Sequence, residues 1–204
     1  MSRLAAMRRS SLVELIFIVA VAIFLALAVQ AYAVKPYRIP SGSMEPTLDI
    51  GERVLVQRVT HRLGSDPKVG QIIVFHPPAG ADGVPAVCGR RTVENRPCAT
   101  PTKARSEQTF IKRVVAVGGD TVMVRGGLAY VNGRRQPAPF AAPCADGDGC
   151  DMTSPITVPK GMVFLMGDNR GNSDDSRYWG PIPVKWVIGE AFATYWPPGR
   201  IGVR

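Results

Sequence analysis

Apolar and polar positions are unevenly spread along the chain. Residues 15–29 are apolar without a break, and with Glu14 and Gln30 allowed the stretch runs over 12–34. A helix of that length rises roughly 35 Å, enough to cross the hydrocarbon layer of a bilayer. A buried core helix this long would normally show a polar face, which this run lacks. Beyond it the apolar segments shorten to strand length. Residues 53–59, 71–75, 110–117, 121–125, 128–131, 162–166 and 187–195 are such segments, most of them bounded by Gly, Pro or Asn. Gly126-Gly127 is a two-residue hairpin signal, and Asn132-Gly133 marks the next turn. No helical period of useful length recurs. The pattern predicts a mostly β, antiparallel domain, like a barrel or sandwich, behind one N-terminal transmembrane helix. The implied division is a cytoplasmic N-terminus over 1–11, an anchor over 12–34 and an extracytoplasmic domain over 35–204.

A cleavable signal peptide is the competing reading of the first segment. Arg3, Arg8 and Arg9 form a basic start, and Ala31-Tyr32-Ala33 resembles a small-x-small cleavage site. The run is long for such a peptide, and Lys35-Pro36-Tyr37-Arg38 would suit an interfacial anchor for a segment that stays. Self-cleavage after Ala33 remains open. An N-in placement puts the main domain outside.

Composition narrows the classes. With 46% hydrophobic residues the 204-residue chain has a core, which excludes wholesale disorder. The 21 Gly and 18 Pro argue against a helical bundle. The net charge of +9 suits either anionic lipid or nucleic acid. The interleaving of basic and aromatic residues expected for stacking on bases is absent, so no nucleic-acid partner is expected.

The strand pattern is interrupted over 77–107 and 136–160, polar stretches rich in Pro, Gly and Ala that hold Cys88, Cys98, Cys144 and Cys150. Local disulfides Cys88–Cys98 and Cys144–Cys150 are the simplest of three pairings, tying down two surface loops outside the cytosol. Unpaired thiols and a structural metal are the alternatives. No C-x-x-C pair occurs, and His61 and His76 lie in no zinc-ligand pattern.

Three segments carry candidate chemistry. Residues 39–48 follow the apolar run directly and place Ser41 and Ser43 on either side of Gly42; the plain reading is a capped turn. In 110–114 Lys112 faces one side of a strand, with Ile111 and Arg113 on the other. If that side is buried, the ammonium loses its hydration and a neutral lysine becomes available as a base; the plain alternative is a solvated edge lysine. Residues 167–180 are dense in hydrogen-bonding side chains, but their acids do not follow calcium-loop spacing. Asp175 and Arg177 could form a bidentate pair there, and Tyr178-Trp179 argue for packing rather than a free loop.

Together these segments resemble the bacterial type I signal peptidases, membrane-bound serine proteases with a Ser/Lys dyad. The matching pieces are P-S-G-S-M-E-P-T-L (40–48), G-E-R-V-L-V (51–56), G-Q-I-I-V-F (70–75), F-I-K-R-V-V-A-V-G-G-D (110–120) and G-D-N-R-G-N-S-D-D-S-R-Y-W-G (167–180). The resemblance implies Ser43 as nucleophile and Lys112 as general base, with Ser41 and the Ser43 N–H forming the oxyanion hole. It implies that Ser173 orients the lysine, that Asp175 and Arg177 form a supporting salt bridge, and that Asp168 belongs to the same loop. Ile39, Pro40, Met44, Leu48, Phe110 and Ile111 would contact the substrate, in small pockets for Ala at −1 and −3. The implied partners are preproteins with signal peptides and the lipid bilayer, and the implied state is a monomer without metal or cofactor at the cytoplasmic membrane. Trp179, Trp186 and Trp196-Pro197-Pro198 are candidates for seating the domain in the interface, with a place in the core as the alternative, above all for Trp186. Rival readings are a self-cleaving repressor, disfavoured by the N-terminal run, and an inactive membrane-tethered β domain that binds secretory peptides.

Overall fold

The computed structural model describes residues 13–27, 33–59, 64–81, 104–144 and 150–204. Within these the chain is mostly antiparallel β. The strands are β1 (Val34–Arg38), β2 (Arg53–Gln57), β3 (Ile72–Phe75), β4 (Phe110–Val117), β5 (Thr121–Arg125), β6 (Leu128–Val131), β7 (Arg134–Arg135), β8 (Ile156–Thr157), β9 (Met162–Met166), β10 (Ile182–Pro183), β11 (Val187–Trp196) and β12 (Gly202–Val203). The larger sheet runs β1-β2-β11-β3-β4-β9-β10, with β12 added on β11. The smaller runs β7-β6-β5-β8. Among the described residues nothing pairs β1 with β10, so the large sheet is an open, bulged half-barrel rather than a closed one. Its bulges fall in β11 and in β4 between Val114 and Ala116, where an extra residue bends a strand.

Seven expected strands form, most within one or two residues of the boundaries read from the sequence. The two hairpin signals also hold. Arg125 pairs with Leu128 across Gly126 (φ 54°) and Gly127 (φ 72°), and Val131 pairs with Arg134 across Asn132 (φ 51°) and Gly133 (φ 77°). Both are turns whose two central residues need positive φ.

The segments outside these strands take more varied forms. Val34, the last residue of the expected span, is also the first of β1, and Lys35 to Arg38 pair in register with Val56 to Arg53. Pro36 is tolerated because β1 is an edge strand. Residues 13–27 form a helix with its apolar side chains exposed all round. No helix among the described residues is long and apolar enough to cross a membrane; residues 12 and 28–32 of the expected span lie outside them. Trp179 (2% exposed) and Trp186 (6%) are core residues, leaving Trp196 (50%) as the accessible tryptophan. Phe110 bridges Phe75, by a T-shaped ring contact at 6.4 Å, and Trp179, by a tilted one at 5.9 Å.

The 136–160 stretch is not simply a surface loop. It contributes β8, and Met152 and Val158 are buried beside Val122 and Val124. Cys144 and Cys150 are joined as a disulfide, with Cα atoms 5.8 Å apart. The Cys150 carbonyl accepts from Gly127 N–H at 2.7 Å, tying the cross-link to the hairpin. Cys88 and Cys98 lie outside the described residues, as does His61. The 77–107 stretch is described only at its ends, which a Pro78–Arg105 bridge holds together.

Three buried clusters make up the core. One gathers Ile73, Phe75, Val114, Leu165 and Trp179 on one side of the large sheet. A second holds Ile39, Met44, Leu48, Val54, Val56, Ile72, Val74 and Ile111. The third lies between β4, β9 and the small sheet. One lateral row crosses the large sheet, Val34–Gln57–Glu190–Ile73–Lys112, each residue paired with the next. Gly189 lies next to this row, and a Cβ there would stand 2.0 Å from the Gln57 carbonyl oxygen. Gly189→Ala is therefore expected to destabilise the domain by about 3 kcal/mol or more, read as a lower denaturant midpoint with an unchanged slope.

Candidate active site

Residues 39–52 form a loop closed at its base. Ile39 N–H donates to the Glu52 carbonyl and Gly51 N–H to the Ile39 carbonyl, both at 2.8 Å. Inside it Gly42–Met44 make one 3₁₀ turn, entered from Ser41 in an extended conformation. Met44 and Leu48 are spaced like one helical turn, and Leu48 N–H donates to the Met44 carbonyl at 2.9 Å. Both side chains plug the second core cluster. That anchoring fixes the turn and leaves Ser43 only 8% exposed.

Lys112 arrives from β4. It pairs with Ile73 on β3 and shares a strand face with Phe110 and Val114, as period two requires. Its Nζ donates to Ser43 Oγ at 2.5 Å and lies 5.8 Å from the Phe110 ring centre. Ser41 Oγ is 3.5 Å from Ser43 Oγ. Lys112 is 4% exposed. Burial pushes its ammonium down from 10.5 to about 8. Asp175, Asp174 and Asp168 pull it back towards the charged form, while Arg177 pushes it further down.

The segment after β9 supports both residues. Gly167 is obligatory, since a Cβ there would fall 2.2 Å from Ser173 Oγ and 2.4 Å from the Ser43 carbonyl oxygen. Asn169 donates its backbone N–H to the Ser43 carbonyl and its side chain to the Gly42 carbonyl, both at 3.1 Å. Asp175 is fully buried. It caps the short helix Ser176–Trp179, accepts from Gly167 N–H at 2.9 Å and takes both arms of the Arg177 guanidinium at 2.8 Å. Burial alone would raise the Asp175 carboxyl, but the Arg177 pair and the Gly167 hydrogen bond hold it below the usual carboxylate range.

The expected Asp175–Arg177 pair is thus present. Ser173 is placed differently from the expectation: its hydroxyl donates to Asp175 Oδ2 at 2.8 Å, and no hydrogen bond to Lys112 is formed. The same Asp175 carboxylate is the strongest source of negative charge acting on Lys112. Asp168 has a partner that the residue pattern did not reveal. Arg113 grips it with Nε and Nη2 at 2.9 and 2.6 Å, and Thr47 Oγ1 donates to it at 2.5 Å. Arg113 also stacks at 3.9 Å on Phe140. Arg170, likewise unforeseen, is buried and donates to the Gly167 and Gly127 carbonyls. Its one signal was its place in G-D-N-R.

Of the expected substrate contacts, Ile39, Met44, Leu48 and Ile111 are buried in one cluster, Phe110 is half-buried and Pro40 is exposed. The four buried ones form a packed apolar floor beneath the Ser43 loop.

A family model described as signal peptidase, peptidase S26, matches residues 12–196. A relative called probable signal peptidase I-2 from Synechocystis is 36% identical over 89% of this chain and 72% of its own length. Signal peptidase I of Mycobacterium tuberculosis is 37% identical over 96% of this chain and 76% of its own. A probable chloroplastic thylakoidal processing peptidase of Arabidopsis thaliana is 34% identical over 88% of this chain, though over 43% of its own. The chain belongs to the S26 signal peptidase family, and it is a peptidase.

Holding Lys112 in this site costs stability. The drop from 10.5 to about 8 corresponds to about 3 kcal/mol at neutral pH. Because the folded value lies below the unfolded one, that cost shrinks as pH rises through 8 and is gone above about 10.5. Lys112→Met is expected to melt higher than the unaltered chain at pH 7, and the gap is expected to close as the pH is raised.

Proposed function

We propose that this chain is a membrane-anchored serine endopeptidase that removes signal peptides from secreted preproteins at the outer face of the bacterial cytoplasmic membrane. The buried 2.5 Å contact between Lys112 Nζ and Ser43 Oγ carries the mechanism, and the names of its relatives support the substrate class. With a value of about 8, roughly a tenth of the lysine is neutral at pH 7.

Neutral Lys112 takes the Ser43 hydroxyl proton while Oγ attacks the scissile carbonyl. The developing oxyanion accepts from the Ser43 N–H and the Ser41 hydroxyl. A 3₁₀ turn leaves its first N–H groups without an internal acceptor, and Ser43 stands second in its turn. The Lys112 ammonium then protonates the departing amine, leaving an ester on Ser43. A water attacks that ester and gives a proton to Lys112, which passes it to the departing Ser43 Oγ; the signal peptide leaves with a free carboxyl group that ionises to solvent. The two donors act where charge develops, and loss of one typically costs about 10²–10³ in rate.

The packed floor of Ile39, Met44, Leu48 and Ile111, with Phe110 beside it, suits small side chains at −1 and −3, because larger ones would have to displace core atoms. Residues 13–27, apolar apart from Glu14, suit the anchor. In this reading 1–11 lie inside, 12–34 hold the chain in the membrane up to the start of β1, and the β domain lies outside. An inactive peptide-binding domain is the weaker reading, since binding alone gives no reason to bury a lysine against a serine.

Ser43→Ala and Lys112→Ala are each expected to lower preprotein cleavage by about 10³-fold or more with the β-sheet circular dichroism kept. Near-normal cleavage by either purified variant would overturn the assignment. The value of kcat/KM is expected to rise with pH and level off above about 8, since acid protonates the base. A profile flat from about pH 6 to pH 9 would exclude Lys112 as that base.

A further inference from the structure

The outer leg of the Ser43 loop, residues 46–49, is gripped from two sides. Thr47 Oγ1 reaches Asp168 on one side. On the other, Arg200 Nη2 donates to the carbonyls of Pro46 and Thr47 at 3.3 and 3.2 Å and faces Asp49 at 3.3 Å. The same guanidinium gives Nε to Glu52 Oε1 at 2.5 Å. Glu52 is 2% exposed and closes the base of the loop through its own carbonyl. Its second oxygen accepts from Thr194 Oγ1 at 3.3 Å and lies 3.7 Å from Arg204 Nη2. Arg204 in turn donates to Thr194 Oγ1 at 2.8 Å and to the Arg200 carbonyl at 3.1 Å. Residues 200–204 are thereby fastened to β11 and to the loop at once.

We propose that Arg200, oriented by buried Glu52, is a positioning residue for the nucleophile. A buried carboxylate holds its cationic partner in one place, because separating them would strand a charge away from water. The planar guanidinium then has one edge on Glu52 and a second nitrogen free for two backbone oxygens, a span that an ammonium does not cover. Those oxygens belong to a surface leg that water would otherwise solvate. Fixing them fixes Leu48, and through the Leu48–Met44 hydrogen bond the turn that carries Ser43. Arg200 acts on the Ser43–Lys112 distance through the backbone and touches no reacting atom.

This inference rests on Ser43 and Lys112 being the reacting pair, so the test carries Ser43→Ala beside the Arg200 variants. The full chain in detergent micelles is assayed with a peptide bearing alanine at −1 and −3 of a signal-peptide junction. Arg200→Ala is expected to lower kcat on the order of 10- to 100-fold, with KM within about twofold and the acid limb of the pH profile unmoved. Arg200→Lys is expected to fall between, and it carries the test alone if Arg200→Ala does not fold. Three results would overturn the proposal: kcat within about twofold of the unaltered chain, a kcat deficit that vanishes when the assay is run well below the variant's Tm, or a shifted acid limb. The second would show a stabilising role only, and the third an electrostatic one. If Ser43→Ala cleaves as fast as the unaltered chain, the reading of the site fails instead.

Discussion

The site depends on an ammonium kept out of water. Lys112 has core on its strand face and Ser43 Oγ as acceptor at its tip, which is less than the hydration that the charged form would need. The same enclosure makes every nearby carboxylate dangerous, because an unneutralised acid would restore the proton to the lysine. The structure meets this with arginines at the two buried acids, while Asp174 lies exposed to water. Asp175 is matched by Arg177 and Asp168 by Arg113, each through two nitrogens. Their residual pull on Lys112 is real but smaller than desolvation, and the balance settles near 8.

Those acids are also the joints of the structure. Asp175 caps a helix, receives the Gly167 N–H and accepts the Ser173 hydroxyl. Asp168 receives Thr47 from the loop that carries the nucleophile. Each carboxylate therefore balances charge near the lysine and locks one segment to another. Substitution at either would change geometry and proton affinity together, which is the usual behaviour of a buried polar network.

Local signals found the strands and the turns. Val-rich runs ended by glycine, and pairs such as Gly126-Gly127, encode their structure within a few residues, so reading them required no tertiary knowledge. β1 was missed because Lys35, Pro36 and Arg38 look unlike a strand, and only pairing with β2 makes them one. Ser43, Lys112, Asp175 and Arg177 were visible because their surrounding motifs are distinctive. The Asp168–Arg113 pair was not, since the two lie 55 positions apart and nothing local couples them. Ser173 was assigned to the lysine by resemblance, and its hydrogen bond to a carboxylate two residues away is one that the motif did not reveal. Trp179 and Trp186 show the limit of composition: an aromatic side chain suits a lipid interface and a protein core equally well, and neighbours decide.

The lateral row from Val34 to Lys112 has a further consequence. Four strand-to-strand steps separate the two residues, each about 4.8 Å wide, so the path along the curved sheet between them is roughly 19 Å. Its length is set by backbone hydrogen bonds and not by side chains or loop length. Loops can lengthen or shrink around this sheet without altering the offset between its first strand and the lysine. Inserting or deleting a strand would be needed to reset it.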